Sequence, residues 1–207
     1  MRSAYSARRL RCVTGVKMTK SESTAVILCG GLSSRMGMPK HKLFLDRIIS
    51  QLEGFGVIAL SVRDETQISG YDLQTWPDIV KGCGPLGGIF TALMMSETQY
   101  VFTTPCDVPD VASDFVDGLF SQLCENDSCL VPVIDGNIQP LTGIYSVSCA
   151  GMIRESLRAG NFSVKKFLSH IDVHYVDIDE RGREFLRNIN TPEEYKFWLN
   201  NNPSHSA

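Results

Sequence analysis

The chain has 207 residues, 43% of them hydrophobic and 21% charged; these are the proportions of one globular domain and not of a disordered, coiled-coil or collagen-like chain. The formal net charge is -3, yet residues 1–21 hold six basic residues (Arg2, Arg8, Arg9, Arg11, Lys17 and Lys20) and no acid, so residues 22–207 carry -9. An acidic globular part argues against a sequence-independent nucleic-acid binder, and no run nears the ~20 apolar residues that span a bilayer, so neither nucleic acid nor membrane is expected as a partner.

The basic segment lacks an apolar stretch ahead of a small-residue cleavage site, which makes it a poor signal peptide. Residues 1–21 read as a disordered tail ahead of a folded domain over 22–207, with a transit-like or nucleic-acid-binding arm as the other reading. Ala25 to Cys29 (AVILC) reads as a buried parallel strand ending in Gly30 and Gly31. Leu45 to Leu52 has helical spacing, and Val57 to Val62 and Tyr71 to Trp76 read as strands, the latter closed by Pro77. Pro85 opens a helix through Met95, proline being tolerated in a first turn. Tyr100 to Thr104 reads as a buried strand cut off by Pro105, and Phe115 to Leu123 as a helix. Cys129 to Ile134 reads as a strand in which Pro132 calls for an edge or a bulge. Helices are expected over Ser146 to Leu157 and Val164 to His170, a strand over Val173 to Ile178, and a last helix over Pro192 to Leu199 with Thr191 as its N-cap. Strand, glycine turn and helix alternate, which implies a single α/β domain around a doubly wound, mainly parallel sheet.

Seven cysteines (Cys12, Cys29, Cys83, Cys106, Cys124, Cys129 and Cys149) make an odd number with no CxxC pair, which suits buried reduced thiols in a cytoplasmic protein. Cys124 and Cys129 are the nearest pair and receive no role. His170 and His174 have the i, i+4 spacing of two ligands on one helix face, but the segment around His174 alternates like a strand, so no metal site is expected there.

Open parallel sheets bind ligands at the carboxyl ends of their strands, and three segments fall there. Gly30-Gly31-Leu-Ser-Ser-Arg35-Met-Gly37-Met-Pro-Lys40 combines glycines, whose amides can approach a phosphate closely, with the fixed charges of Arg35 and Lys40. It is neither a Walker A loop nor GxGxxG, which speaks against a nicotinamide-dependent oxidoreductase; an ordinary strand-to-helix turn is the plain alternative. Pro105-Cys106-Asp107-Val108-Pro109 sets an aspartate at a strand end, placed either to hold Mg2+ beside phosphates or to serve as a turn residue. Gly82-Cys83-Gly84-Pro85-Leu86-Gly87-Gly88, with Asp78 just upstream, has four glycines in seven positions, more than a tight turn needs.

Together Val26-Ile-Leu-Cys-Gly-Gly, Ser34-Arg-Met-Gly with Lys40, Gly84-Pro-Leu-Gly-Gly, Cys106-Asp-Val-Pro and Asn188-Ile-Asn-Thr-Pro-Glu-Glu resemble, in order over residues 24–199, the MobA-type molybdenum cofactor guanylyltransferases. The resemblance implies a Rossmann-like fold of the nucleotide-diphospho-sugar transferase type. It also implies Mg2+-dependent transfer of GMP from GTP to the terminal phosphate of molybdenum-molybdopterin, and, as protein partners, molybdoenzymes or other cofactor-biosynthesis proteins. Carried over residue by residue, it implies that Leu28, Cys29, Gly30, Gly31, Gly37, Asp78, Gly84, Pro85 and Leu86 bind GTP. It implies that Arg35 and Lys40 handle phosphate, that Asp107 holds Mg2+, and that Gln139, Pro140, Leu141, Asn188 and Asn190 face the pterin. This chain departs from the pattern by a shortened segment after Lys40, which makes Lys42 a rival to Lys40, and by Ser61 where some members carry an asparagine. Gly30-Gly31 and Gly84-Pro85-Leu86 point to GTP over CTP, since a purine needs the room that glycine leaves. A cytidylyltransferase or another small-molecule-phosphate nucleotidyltransferase of the same fold, and a nucleotide-binding regulator without catalysis, are the competing expectations.

Overall fold

The most apolar run of the first half, Thr24–Leu28, is buried along its whole length and forms the central strand β1. It belongs to a computed structural model that describes residues 18–30, 41–64, 68 and 70–202. After β1 come α1 (His41–Gln51), β2 (Val57–Val62), β3 (Gln74–Pro77), α2 (Gly84–Met95), β4 (Tyr100–Pro105) and α3 (Ser113–Phe120). The second half adds β5 (Cys129–Ile134), β6 (Asn137–Ile138), β7 (Gly143–Ser146), α4 (Ala150–Arg158), α5 (Val164–Leu168), β8 (His174–Asp177), α6 (Glu180–Arg183) and α7 (Pro192–Asn201).

One eight-stranded sheet runs β3-β2-β1-β4-β7-β5, with β6 and β8 also paired to β5. The first four strands are parallel, β7 is antiparallel to both its neighbours, and β8 is parallel to β5. The expected mainly parallel α/β sheet is present, and the sequence reading did not include the antiparallel insertion of β7 between β4 and β5. Alternate residues of the strands feed two cores. On one face Ile27, Leu60 and Phe102 meet α1, α3 and Trp198 of α7. On the other Val26, Ala59 and Val101 meet α2, α4 and α5.

Pro132 explains a break in the pairing. Val133 pairs with Ile138 on β6, but Leu130 pairs with Ile144 on β7, where an unbroken ladder would have paired it with Leu141. The Pro132 carbonyl accepts from Gln139 N–H at 2.8 Å, so its ring nitrogen, which has no proton to give, also faces the interruption at 139–142. The expected bulge is thus a discontinuity in the partner strand. Thr103 Oγ1 donates to the Leu141 carbonyl at 3.0 Å and fixes the interrupted segment against β4, just before its carboxyl end.

Other boundaries moved. The helix expected from Ser146 starts at Ala150, because Ser146 stays in the sheet, opposite Tyr100, and then caps a short 3-10 turn, Val147–Cys149, with its side chain. The third strand starts at Gln74, three residues later than expected. Residues 18–21, counted with the tail in the sequence reading, are packed: Gly56 N–H donates to the Lys20 carbonyl, and Lys20 Nζ lies 2.9 Å from Asp117. Among the described residues no helix is long and apolar enough to cross a membrane.

Candidate functional site

A cavity of about 430 Å³ opens at the carboxyl ends of β1, β2, β3 and β4, on the face that α2 covers. That is the place and the size that small-ligand sites take in open α/β sheets. Leu28 and Gly30 reach it from β1, Ser61 and Arg63 from β2, and Asp78 from just beyond β3. Pro105, Cys106 and Asp107 come from the end of β4. Gly82, Gly84, Pro85 and Gly88 belong to the loop and first turn of α2, and Leu141 and Asn188 complete the lining.

The glycines of the α2 loop have separate reasons. Gly82 and Gly84 have φ of +78° and +58°, the left-handed region that costs a side-chain-bearing residue about 1–2 kcal/mol. A Cβ on Gly87 would sit 3.0 Å from Cys83 Cβ, and one on Gly88 would sit 3.2 Å from Ser61 Oγ and 3.4 Å from Leu28 Cδ2. The bare Gly88 lets α2 lie close against β1 and β2, and the bare Gly87 leaves room for the loop of Val80 and Cys83 to fold back on the helix. No side chain caps the N-terminus of α2, so its first amides and the positive end of its dipole bear on the cavity, an arrangement suited to anions.

Among the described residues, the charged groups of the cavity are Arg63, Asp78 and Asp107. Burial raises the Asp78 pKa above the usual 3.8, and the positive charge of Arg63 pulls it partly back. The same burial, with the Asp78 charge, raises the Cys83 thiol. Asp107 is held from behind, its carbonyl accepting from Ile189 N–H at 2.8 Å. That bond ties the β4 loop to the segment that carries Asn188. Two carboxylates lining one cavity offer the hard oxygen donors that Mg2+ takes together with phosphate oxygens, so the donor set fits that ion.

Of the residues expected at the site, Leu28, Gly30, Asp78, Gly84, Pro85, Asp107, Leu141 and Asn188 line the cavity. The Cys29 side chain is turned to the opposite face of the sheet, buried beside Cys106 and raised in pKa by that contact and by burial. Leu86 is fully buried in the core under α2. Gln139 and Pro140 do not line the cavity: the Gln139 N–H donates to the Pro132 carbonyl and the Pro140 carbonyl accepts from the Tyr145 hydroxyl. Asn190 lies at the start of α7, where its N–H donates to Glu194. Gly31, Arg35, Gly37 and Lys40 lie outside the described residues, and Lys42 is exposed on α1. Arg63 was missed by sequence reasoning. Its signal was its position directly after β2, at the same end of the sheet as Gly30 and Asp107.

A family model for the MobA-like NTP transferase domain matches residues 25–175. The probable molybdenum cofactor guanylyltransferase of Flavobacterium johnsoniae is 32% identical over 180 residues, 83% of this chain and 93% of that protein. The protein of the same name from Bacillus licheniformis is 33% identical over 174 residues, 80% of this chain and 89% of that one. In three dimensions the chain resembles molybdopterin-guanine dinucleotide biosynthesis protein A of Archaeoglobus fulgidus, with a TM-score of 0.76 at 23% identity over 88% of this chain and 99% of that one. A match over this span, with relatives above 30% identity covering most of both chains, makes the chain a member of the MobA-like NTP transferase domain family.

Proposed function

We propose that the protein is a molybdenum cofactor guanylyltransferase: it transfers GMP from GTP to the terminal phosphate of molybdenum-molybdopterin and releases pyrophosphate. The observation that carries this reading is one cavity lined by residues expected for both substrates. In this reading Asp78, Asp107, the N-terminus of α2 and Gly88 meet the nucleotide, and Leu141 and Asn188 meet the acceptor. The relatives' names supply the two substrates.

The acceptor phosphate is a monoester with a second pKa of ~6, so at neutral pH it is already a dianion and needs no general base. The protein's work is positioning and charge compensation. The amides of the α2 N-terminus and Arg63 stabilise negative charge on the nucleotide, and Arg35 and Lys40 supply the remaining fixed charge in this reading. Asp107, with Asp78 in the same cavity, would hold Mg2+, which would supply neutralisation of phosphate charge.

The test is pyrophosphate release with molybdenum-loaded molybdopterin and Mg2+, comparing GTP, CTP and ATP. Release with GTP above the other two is expected. Asp107→Asn should lower it by ~10²-fold or more, the scale of removing one preorganised electrostatic group, with an unchanged Tm. A preference for CTP would overturn the base assignment while keeping the mechanism. Binding of GTP without release from any nucleotide would sink the enzymatic reading.

A further inference from the structure

The end of the sheet away from the cavity gathers three residues that the proposed transfer leaves unused. Cys124 and Asp127 lie in the loop between α3 and β5, and His174 is the first residue of β8. The loop folds on itself: Asp127 N–H donates to the Cys124 carbonyl at 2.9 Å, and Cys124 N–H donates to Asp127 Oδ2 at 2.8 Å. This reciprocal pair holds the two side chains on one side of the turn. Parallel pairing of β8 with β5, in the register Leu130 with His174, brings the imidazole to them. His174 Nδ1 lies 2.7 Å from Asp127 Oδ2. A thiol sulfur, a carboxylate oxygen and an imidazole nitrogen, one from each residue, all lie within 4.8 Å of one another.

We propose that Cys124, Asp127 and His174 form a binding site for a zinc-class divalent cation that clamps β8 to the α3–β5 loop. Bonds of ~2.0–2.3 Å to a tetrahedral ion place neighbouring ligand atoms about 3.3–3.8 Å apart, so the imidazole and carboxylate, in hydrogen-bond contact at 2.7 Å, must part by roughly 0.6–1 Å, while a pair as far apart as 4.8 Å closes by about 1 Å. Thiolate with imidazole favours Zn2+ over Mg2+, which separates this ion from the one proposed at Asp107. All three side chains are half-buried, so an ion can enter from solvent and keep a water as fourth ligand. The Tyr100 hydroxyl donates to the Cys124 and Glu125 carbonyls at 3.3 and 2.8 Å and ties this loop to β4.

The plain alternative is a hydrogen-bonded His-Asp pair that holds the edge strand with no metal. Titration of the full chain with Co2+ as a spectroscopic stand-in, and with Zn2+ by calorimetry and thermal melts, separates the two. One equivalent of Co2+ should give a thiolate-to-metal charge-transfer band and intense tetrahedral visible bands, both lost in Cys124→Ser. Zn2+ should raise the Tm of the wild type and leave that of Cys124→Ser unchanged. His174→Gln, whose amide can keep the bond to Asp127, should melt near the wild type without metal and bind Zn2+ roughly tenfold or more weakly. The same Co2+ spectrum in Cys124→Ser, or no stoichiometric uptake by the wild type, would overturn the proposal. Pyrophosphate release by Cys124→Ser should be unchanged, so failure of the metal site and failure of the transferase reading are read separately.

Discussion

Asp78 is a residue on which fold and function pull in opposite directions. Its carboxyl has a raised pKa because burial in the cavity wall disfavours its charge more than Arg63 favours it. A group raised in the fold contributes stability that is fully present below its unfolded value near 3.8 and is lost as pH rises through the folded value. At pH 7, above the unfolded value, the burial of Asp78 therefore counts against the fold. Asp78→Asn should equal or exceed the wild-type Tm at pH 7 and lose that advantage as pH falls toward 4. It should also raise the KM for GTP if the carboxylate meets the nucleotide. Thermal melts and pyrophosphate kinetics on the same variant check both halves; a clear drop in Tm at pH 7 would contradict the first.

The helix α7 shows how an element at the end of the chain serves a site built mostly by the start. Thr191 and Glu194 form a reciprocal capping box that starts it cleanly after Asn190. Its Trp198 donates to Asp110 Oδ2 at 2.8 Å, while Arg47 of α1 lies 2.7 Å from Asp110 Oδ1 and 5.4 Å from the Trp198 ring centre. Asp110 thus joins α1, the β4 loop and α7, about a fifth of its side chain and of Arg47 remaining exposed. Asp110→Ala strips partners from both, and should cost about 2–3 kcal/mol, between the value of a surface pair and that of a fully buried one. Urea denaturation measures it, and a loss below ~0.5 kcal/mol would mean that α7 is held by its apolar contacts alone. Of this element the sequence showed nearly everything: Thr191, Pro192 and two glutamates announce its start. The parallel half of the sheet was equally legible, since buried strands read as unbroken apolar runs. The strands β6 and β7 were not. Two and four residues long, they are too short to show a period, and their register depends on Pro132 in another strand. At the site, the glycine motifs and Asp107 were visible as local signals. The turning away of Cys29 and the arrival of Arg63 follow from strand phase, and the Cys124–Asp127–His174 grouping from pairing across 47 residues.

For the molecule as a whole, buried acids with raised pKa set an alkaline limit. Burial lifts Tyr100 to about 12 and Cys149 to about 11, and pushes Cys129 and Tyr145 up as well. Up to about pH 8 these groups are almost wholly neutral in both states. From about pH 9 to 12 the unfolded chain ionises near 9.0 for thiols and 10.0 for phenols while the folded chain resists, so each step upward favours unfolding. Tm should be level near pH 7–8.5 and fall progressively above 9; a Tm that holds to pH 11 would contradict this accounting. The interrupted ladder opposite β5 has a different consequence, one that concerns descent. Because β6 and β7 pair with β5 independently, the residues between them can change in number without shifting either register, and closing a slightly longer loop adds only a fraction of a kcal/mol. Leu141 stands in that gap, so on the proposed reading insertions and deletions there would remodel the acceptor wall while the nucleotide wall, drawn from residues 28–107, is inherited unchanged.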